Sequence, residues 1–209
     1  MKVILINGSP KKDGCTYTAL SEMAAQLEKN GIETEIVHIG TEPIRGCMAC
    51  VKCINNGHVC AIEGDKVNET IAKVKAADGL VLGSPVYCGS VTGSMTAFIN
   101  RLFHAGNMGG EYAFKVGASV VSTRRSGATT TLDVLNRYFA VSNMIEISGQ
   151  GVVHGNTPDE VRADLEGMQV MRQTADKMAW VLKCLKAGET AGIARPVPEP
   201  KVRTSFYKG

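Results

Sequence analysis

The chain lacks long hydrophobic runs. Nothing in its 209 residues approaches the roughly 18 consecutive apolar residues of a membrane span. The opening stretch, MKVILINGSP, is too short an apolar run for a secretory signal and ends in a turn. No membrane role is expected, and we read the protein as cytoplasmic, where thiols stay reduced. A large excess of one charge is missing too. With 23 Lys and Arg against 20 Asp and Glu, the net charge is +3, and there is no basic stripe or interleaving of aromatics. That excludes nucleic acid as the expected partner. Internal repeats and low-complexity segments are absent. Neither a G-x-x-x-x-G-K-S/T loop nor a G-x-G-x-x-G turn occurs, so no dinucleotide pyrophosphate site is indicated.

What the chain does have is a regular alternation of apolar runs and amphipathic stretches, in a length suited to one domain. KVILING reads as a buried strand. A helix follows with Leu20, Met23, Ala24 and Leu27 on one face, stopped by Asn30-Gly31. TEIVHI, GLVLGSP, KVGASVVS and MIEIS read as four further strands. Helices are expected from Asp65 (Val67, Ile71 and Val74 inward), over Thr92–Phe103, and over TTLDVLNRYFA. The last helix opens with Thr157, Pro158 and Glu160 as cap, first position and capping box. Its stripe of Val161, Leu165, Met168, Met171, Ala175, Met178, Leu182 and Leu185 runs to Gly188. Strands too apolar to be half exposed, alternating with helices, predict a doubly wound α/β domain around a five-stranded parallel sheet. The domain spans 1–188, with a cysteine-rich insertion at 44–62 and an extended, proline-bearing tail at 189–209.

Such sheets bind ligands beyond the carboxyl ends of their strands. There the first strand leads into NGSPKKDGCT, a small-residue loop opening a helix. Ser9, Thr16 and Thr18 are its candidate hydroxyl donors, and Lys11 or Lys12 supplies charge for an anion. The third strand ends in GSPVYCGSVTG, where Tyr87 offers a flat face and Gly89-Ser90 backbone amides. The fourth ends in STRRSGATTT, with paired arginines before a threonine-rich helix start. His154, in the polar stretch before the last helix, is the histidine best placed for a site role, against the plainer reading of a surface histidine.

Between the second strand and its helix lies GCMACVKCINNGHVC, in which Cys47, Cys50, Cys53 and Cys60 follow C-x2-C-x2-C-x6-C. Two-residue gaps let consecutive thiolates point to one centre. No proline follows Cys60 and no second ligand set exists, so one site using all four is the economical reading. Zinc and a reversible disulfide or free thiols remain alternatives, although structural zinc sites usually separate two knuckles by a longer span. Cys88 and Cys184 have no partner in sequence. Cys184 is placed on or beside the buried stripe of the last helix.

NGSPKKDGCT, GLVLGSPVYCGSVTG and the cysteine segment together resemble the flavodoxin-like NAD(P)H-dependent FMN reductases. More narrowly, they resemble the branch containing iron–sulfur flavoproteins, from residue 1 to about 185. The closing KVRTSFYKG is similar to an Arg-Thr-Asn-Phe ending among bacterial relatives. The resemblance implies a flavodoxin-like fold and FMN as cofactor. It implies that Ser9, Lys11, Gly14, Cys15 and Thr16 grip the FMN phosphate. Pro85, Val86, Tyr87, Cys88, Gly89 and Ser90 would lie along the ribityl chain and ring, with Ser122, Arg124, Arg125 and Gly127 as a third wall. It implies a [4Fe–4S] cluster on the four cysteines beside FMN. Two departures stand out: Cys15 replaces a common Asn, and SGQGVVHG is shorter than usual and lacks an aromatic.

The expected function is an FMN-dependent oxidoreductase. It would take electrons from NAD(P)H, as a transient co-substrate, or from a reduced carrier such as ferredoxin, and pass them to a flavin, quinone or similar small acceptor. Flavin chemistry needs no catalytic side chain from the protein. A flavodoxin-type carrier without turnover is the first rival, disfavoured by the net charge of +3, and a zinc- or thiol-based sensor module the second. The resemblance also implies a homodimer or homotetramer, with the tail as an arm reaching to a neighbour.

Overall fold

The computed structural model describes every residue except 148, 150, 198, 200, 201, 203, 205 and 207–209. The closing stretch of the tail that carries the resemblance therefore lies largely outside the described residues, and SGQGVVHG partly so.

Strand β1 (Lys2–Asn7) is buried on both faces, which its β-branched and leucine run allows. Val3 and Leu5 point to one core cluster, Ile4 and Ile6 to the other, as the period of two requires. Helix α1 (Cys15–Lys29) buries Leu20, Met23 and Leu27 and ends at Asn30-Gly31. Next come strand β2 (Glu33–His38), helix α2 (Val67–Ala76), strand β3 (Gly79–Tyr87), the short strand β4 (Ser90–Val91) and helix α3 (Gly93–Gly106). Strand β5 (Val116–Thr123), helix α4 (Ala128–Val141), strands β6 (Ile145–Glu146) and β7 (Val152–His154) and helices α5 (Pro158–Ala163) and α6 (Leu165–Thr190) complete the chain. Past the turn that ends α6, the described tail residues carry no regular secondary structure.

The parallel strands lie in the order β2-β1-β3-β5-β6, forming the doubly wound sheet that the alternation of elements predicts. The switch point falls between β1 and β3, where the chain leaves the sheet in opposite directions. α1 and α6 cover one face with Leu20, Met23, Met171, Met178 and Leu182. α2, α3 and α4 cover the other with Ile71, Phe98, Leu102, Leu135 and Phe139. Burial of these side chains, worth about 1.5–3 kcal/mol each, is the main force holding the layers together.

Four details depart from the sequence reading. β7 lies inside the stretch read as a loop; it pairs with the end of β5, at a register two residues further on than β6 pairs with its start. β4 turns back antiparallel onto β3. The last helix is two helices. Asp164 (φ −75°, ψ 79°) leaves the helical region, and its carboxylate accepts from Gly167 N at 3.0 Å and from His154 N at 2.7 Å. That bridge tethers the helix start to β7 and resets the phase of the stripe. Leu165 consequently stands 77% exposed while Met168, Met171 and Met178 stay buried. Finally, Cys184 is exposed, not part of the buried stripe.

Candidate functional site

The loop after β1 is held from inside. Asn7 accepts from Ser9 N through Oδ1 (3.1 Å) and donates through Nδ2 to Lys12 O (3.0 Å), while Ser9 Oγ accepts from Lys11 N (3.1 Å). This Asx and serine turn folds the loop back over the start of α1. Gly14 precedes that helix without any side-chain cap, and no acidic residue sits in the first turn. α4 begins the same way at Gly127, whereas α3, α5 and α6 are capped by Thr92, Thr157 and Asp164. Uncapped first turns leave N–H groups and the positive end of the helix dipole for an external anion.

The structure brings the strand-end loops together. Thr16 Oγ1 lies 2.8 Å from Ser122 Oγ, tying the first turn of α1 to the end of β5. Cys15 Sγ reaches Gly155 O at 3.8 Å, and burial pushes its thiol pKa up. Cys15 is therefore a neutral packing group beside the loop after β1. Pro85 and Val86 lead to Tyr87, which is 48% exposed and presents a free ring. Cys88 (φ 51°) and Gly89 (φ 81°) form a tight two-residue turn into Ser90, as hairpins with both central residues at positive φ do. Gly127 (φ 87°) packs against this turn so closely that a Cβ there would stand 2.8 Å from Gly89 Cα. Arg124 and Arg125 are exposed beside it. Lys11 is exposed at the other end. The residues singled out at the three strand ends thus share one edge of the sheet, with hydroxyls, amides and three cationic side chains. His154 pairs in register with Thr123 at the end of β5, and its side chain is more than half exposed and lies 3.7 Å from Asp164.

The cysteine segment leaves β2 and lies along α2 and α3. Cys47, Cys50, Cys53 and Cys60 line one small cavity with Ile62, Arg101, His104 and Ala105. Cys53 and Cys60 are buried, Cys47 and Cys50 exposed, and none of the described cysteines is in a disulfide. Burial pushes the Cys53 thiol up, and the nearby thiols of Cys60, Cys47 and Cys50 add to the shift. Ala49 (φ 51°) and Val51 (φ 50°), which flank Cys50, adopt left-handed backbone. For a β-branched residue that is a strained state, of the kind that persists where a site requires it. Sulfur acceptors are supplied with N–H donors: Ala49 N to Cys47 Sγ and Ile62 N to Cys60 Sγ, both at 3.5 Å, and Arg101 Nε to Cys60 Sγ at 3.2 Å.

Among the described residues no group of three or more His, Cys, Asp or Glu is arranged to hold a single metal ion. A multi-iron cube keeps its thiolates further apart than one ion does, so the donor set and its N–H bonds fit a cluster. This cavity shares no lining residue with the strand-end loops. Arg101 stands eight residues into α3, or about 12 Å along its axis.

Arg101 is the residue that sequence reading missed. It lies on α3 between Phe98 and Ala105, where a charge within an apolar face demands a partner, and that was the available signal. An apolar hollow lined by Trp180, Cys184 and Ile193 lies beside Phe114 at the opposite edge of the sheet and contains none of the site residues.

Comparison with known proteins bears on the family and the fold. Residues 1–159 match the family profile of NADPH-dependent FMN reductase. An iron-sulfur flavoprotein of Methanocaldococcus jannaschii is 32% identical over 197 residues, covering 89% of this chain and all of that protein. An iron-sulfur flavoprotein of Methanosarcina thermophila is 29% identical over 188 residues, covering 89% and 97%. Among solved structures, RosB with bound 8-demethyl-8-formylriboflavin-5'-phosphate superposes with a TM-score of 0.69 at 15% identity, covering 100% and 96% of the two chains. A flavodoxin from the domain Archaea gives 0.58 at 14% identity, covering 88% and 99%. These two likenesses show the flavodoxin-like fold. With strand-end loops, fold and sequence pointing one way, the chain belongs to the NADPH-dependent FMN reductase family of flavin oxidoreductases.

Proposed function

We propose that the chain binds FMN at the carboxyl ends of β1, β3 and β5 and an iron–sulfur cluster at its four cysteines. It would transfer electrons from NAD(P)H or a reduced carrier such as ferredoxin to a small acceptor such as a flavin or quinone. FMN, when bound, supplies both hydride and single-electron chemistry. The protein's part is to bind and orient. The uncapped start of α1, with Ser9, Thr16 and Lys11, would hold the phosphate, as helix N-termini do. Tyr87 and the Cys88-Gly89 turn would lie along the flat ring. Arg124 or Arg125 would place positive charge near its N1–C2 edge, where negative charge gathers on reduction. The Thr16–Ser122 bond keeps the phosphate loop and the third wall in fixed relation.

The observation that carries the reading is the cysteine cavity: four unpaired cysteines facing one space, with three N–H donors aimed at two of the sulfurs. Two relatives named iron-sulfur flavoprotein support it. A homodimer or homotetramer is part of the proposal, as is a cytoplasmic setting. Among the described residues no helix is long and apolar enough to cross a membrane.

Protein purified without oxygen tests this by absorbance spectrum and iron assay. Flavin bands with a broad visible shoulder and about four irons per chain support the whole reading. Flavin bands without iron remove the cluster and leave an FMN reductase with free thiols. Zinc alone, with no flavin after FMN is added, overturns the proposal in favour of a sensor module. Oxidation of NADH or NADPH by the loaded protein then separates an enzyme from a passive carrier.

A further inference from the structure

We propose that Arg101 is the positioning residue of the four-cysteine site: it clamps both ends of the loop to α3 and, acting through Cys60, sets the electron affinity of whatever cluster the thiolates hold. The inference rests on the reading of those cysteines as a cluster site.

Arg101 is the largest fully buried side chain among the described residues, 1% exposed. A buried guanidinium needs each of its donors satisfied and its charge balanced, or the desolvation cost is several kcal/mol. Here every partner belongs to the cysteine segment or its immediate flank. Nη1 donates to Arg45 O at 3.2 Å, just before Cys47, and to the Asp65 carboxylate. Nη2 donates to Ile62 O at 2.6 Å, just after Cys60. Nε donates to the Cys60 sulfur at 3.2 Å. One rigid fork therefore holds the loop's entry, its exit and one ligand in fixed relation, a geometry that a lysine cannot copy.

The charges count the same way. Asp65 is itself nearly buried and balances the guanidinium as one ion pair. A neutral thiol is a weak acceptor, whereas a metal-bound thiolate is a strong one that still carries negative charge. A buried N–H aimed at sulfur thus has its best partner once Cys60 is a ligand. Hydrogen bonds to cluster sulfurs, and nearby positive charge, favour the reduced, more negative state and raise the reduction potential. Nothing in the described fold beyond the cysteine segment requires Arg101: on α3 its neighbours Phe98, Leu102 and Ala105 are core residues that an apolar side chain would join.

The test compares wild type, Arg101→Lys, Arg101→Met and Asp65→Asn, each purified anaerobically with FMN and iron. Readouts are iron per chain, the rate of iron release to a chelator, and the midpoint potential of the cluster by titration. FMN content and melting temperature serve as fold controls. The expected result is faster iron release from both Arg101 variants, by about tenfold or more. Their cluster potential shifts downward, further in Arg101→Met, and it shifts upward in Asp65→Asn, which leaves the guanidinium unbalanced beside Cys60. If Arg101→Met does not fold, Arg101→Lys and Asp65→Asn still carry opposite signs. Iron content lowered but potential unchanged in every variant that retains a cluster makes Arg101 a mere structural clamp and overturns the proposal alone. Wild type that holds flavin but no iron overturns the cluster reading itself, and this inference with it.

Discussion

Arg124 and Arg125 stand exposed beside Gly127, with no ion pair among the described residues. Two adjacent cations without partners contribute little to stability, so their removal isolates binding. Arg124→Ala with Arg125→Ala weakens FMN binding by about tenfold or more, since one charge-assisted hydrogen bond is worth about 1.5–3 kcal/mol. The melting temperature stays within error of wild type. Flavin fluorescence titration and a thermal scan check both halves. These arginines were legible from their place after an apolar strand. Arg101, the more consequential one, was not, because its sulfur partner lies 41 positions away in sequence. The left-handed backbone of Ala49 and Val51 was equally hidden, since neither residue type favours it.

Elements meet closely at two places that set the packing of α3 and the edge of β2. Gly106, near the end of α3, lies under the ring of Tyr112, whose hydroxyl donates to Leu102 O at 3.2 Å. Burial pushes that phenol's pKa well above its ordinary value, so it stays a donor at any working pH. A Cβ at Gly106 would stand 2.1 Å from Tyr112 Oη. Gly106→Ala destabilises by about 1–3 kcal/mol through overpacking, read as a lower urea midpoint at unchanged slope.

On β2, Glu35 pairs with Lys73 at 2.7 Å and Lys2 at 2.9 Å, which hold its carboxyl below the ordinary 4.5. A depressed carboxyl pKa means that the unfolded chain takes up the proton first as acid is added. The pair's stabilisation is therefore complete above about 4.5 and is lost as pH falls through the lowered value. Because all three groups are about one-third exposed, the effect is below about 1 kcal/mol and fades in salt. Glu35→Gln flattens the low-pH limb of the melting temperature at low ionic strength, and an unchanged limb would refute the assignment.

The whole molecule places the strand-end loops and the proposed cluster site on different foundations. The strand-end loops are continuations of the central sheet. The cysteine segment is an added layer, fastened by Arg101 and by Lys75, whose Nζ donates to Gly57 O and His58 O at 3.4 and 3.2 Å. Cys53 and Cys60 join the core on the α2–α3 side. Extracting iron anaerobically from the proposed cluster site therefore leaves the far-ultraviolet circular dichroism and FMN binding unchanged, while amide exchange across residues 47–60 accelerates. Loss of helical signal on chelation would show instead that metal binding drives folding.

Local pattern alone determined the doubly wound parallel α/β sheet, the loops that open α1 and α4, and the four-cysteine spacing. Each of these depends on residues close together in sequence, whose period and turn chemistry act before any long-range contact forms. Tertiary structure decided where the last helix breaks, that β7 extends the sheet edge, and that Cys184 faces outward. It also decided that a buried arginine from α3 closes the cysteine loop. These follow from which surfaces meet once the layers pack. Asp164 is drawn to the backbone N–H of His154, ten residues earlier, and Arg101 to a sulfur and two carbonyls on a segment separated from α3 by α2, β3 and β4. Burying a charge or a carboxylate is tolerable only where distant donors and acceptors happen to converge, and no local period records that.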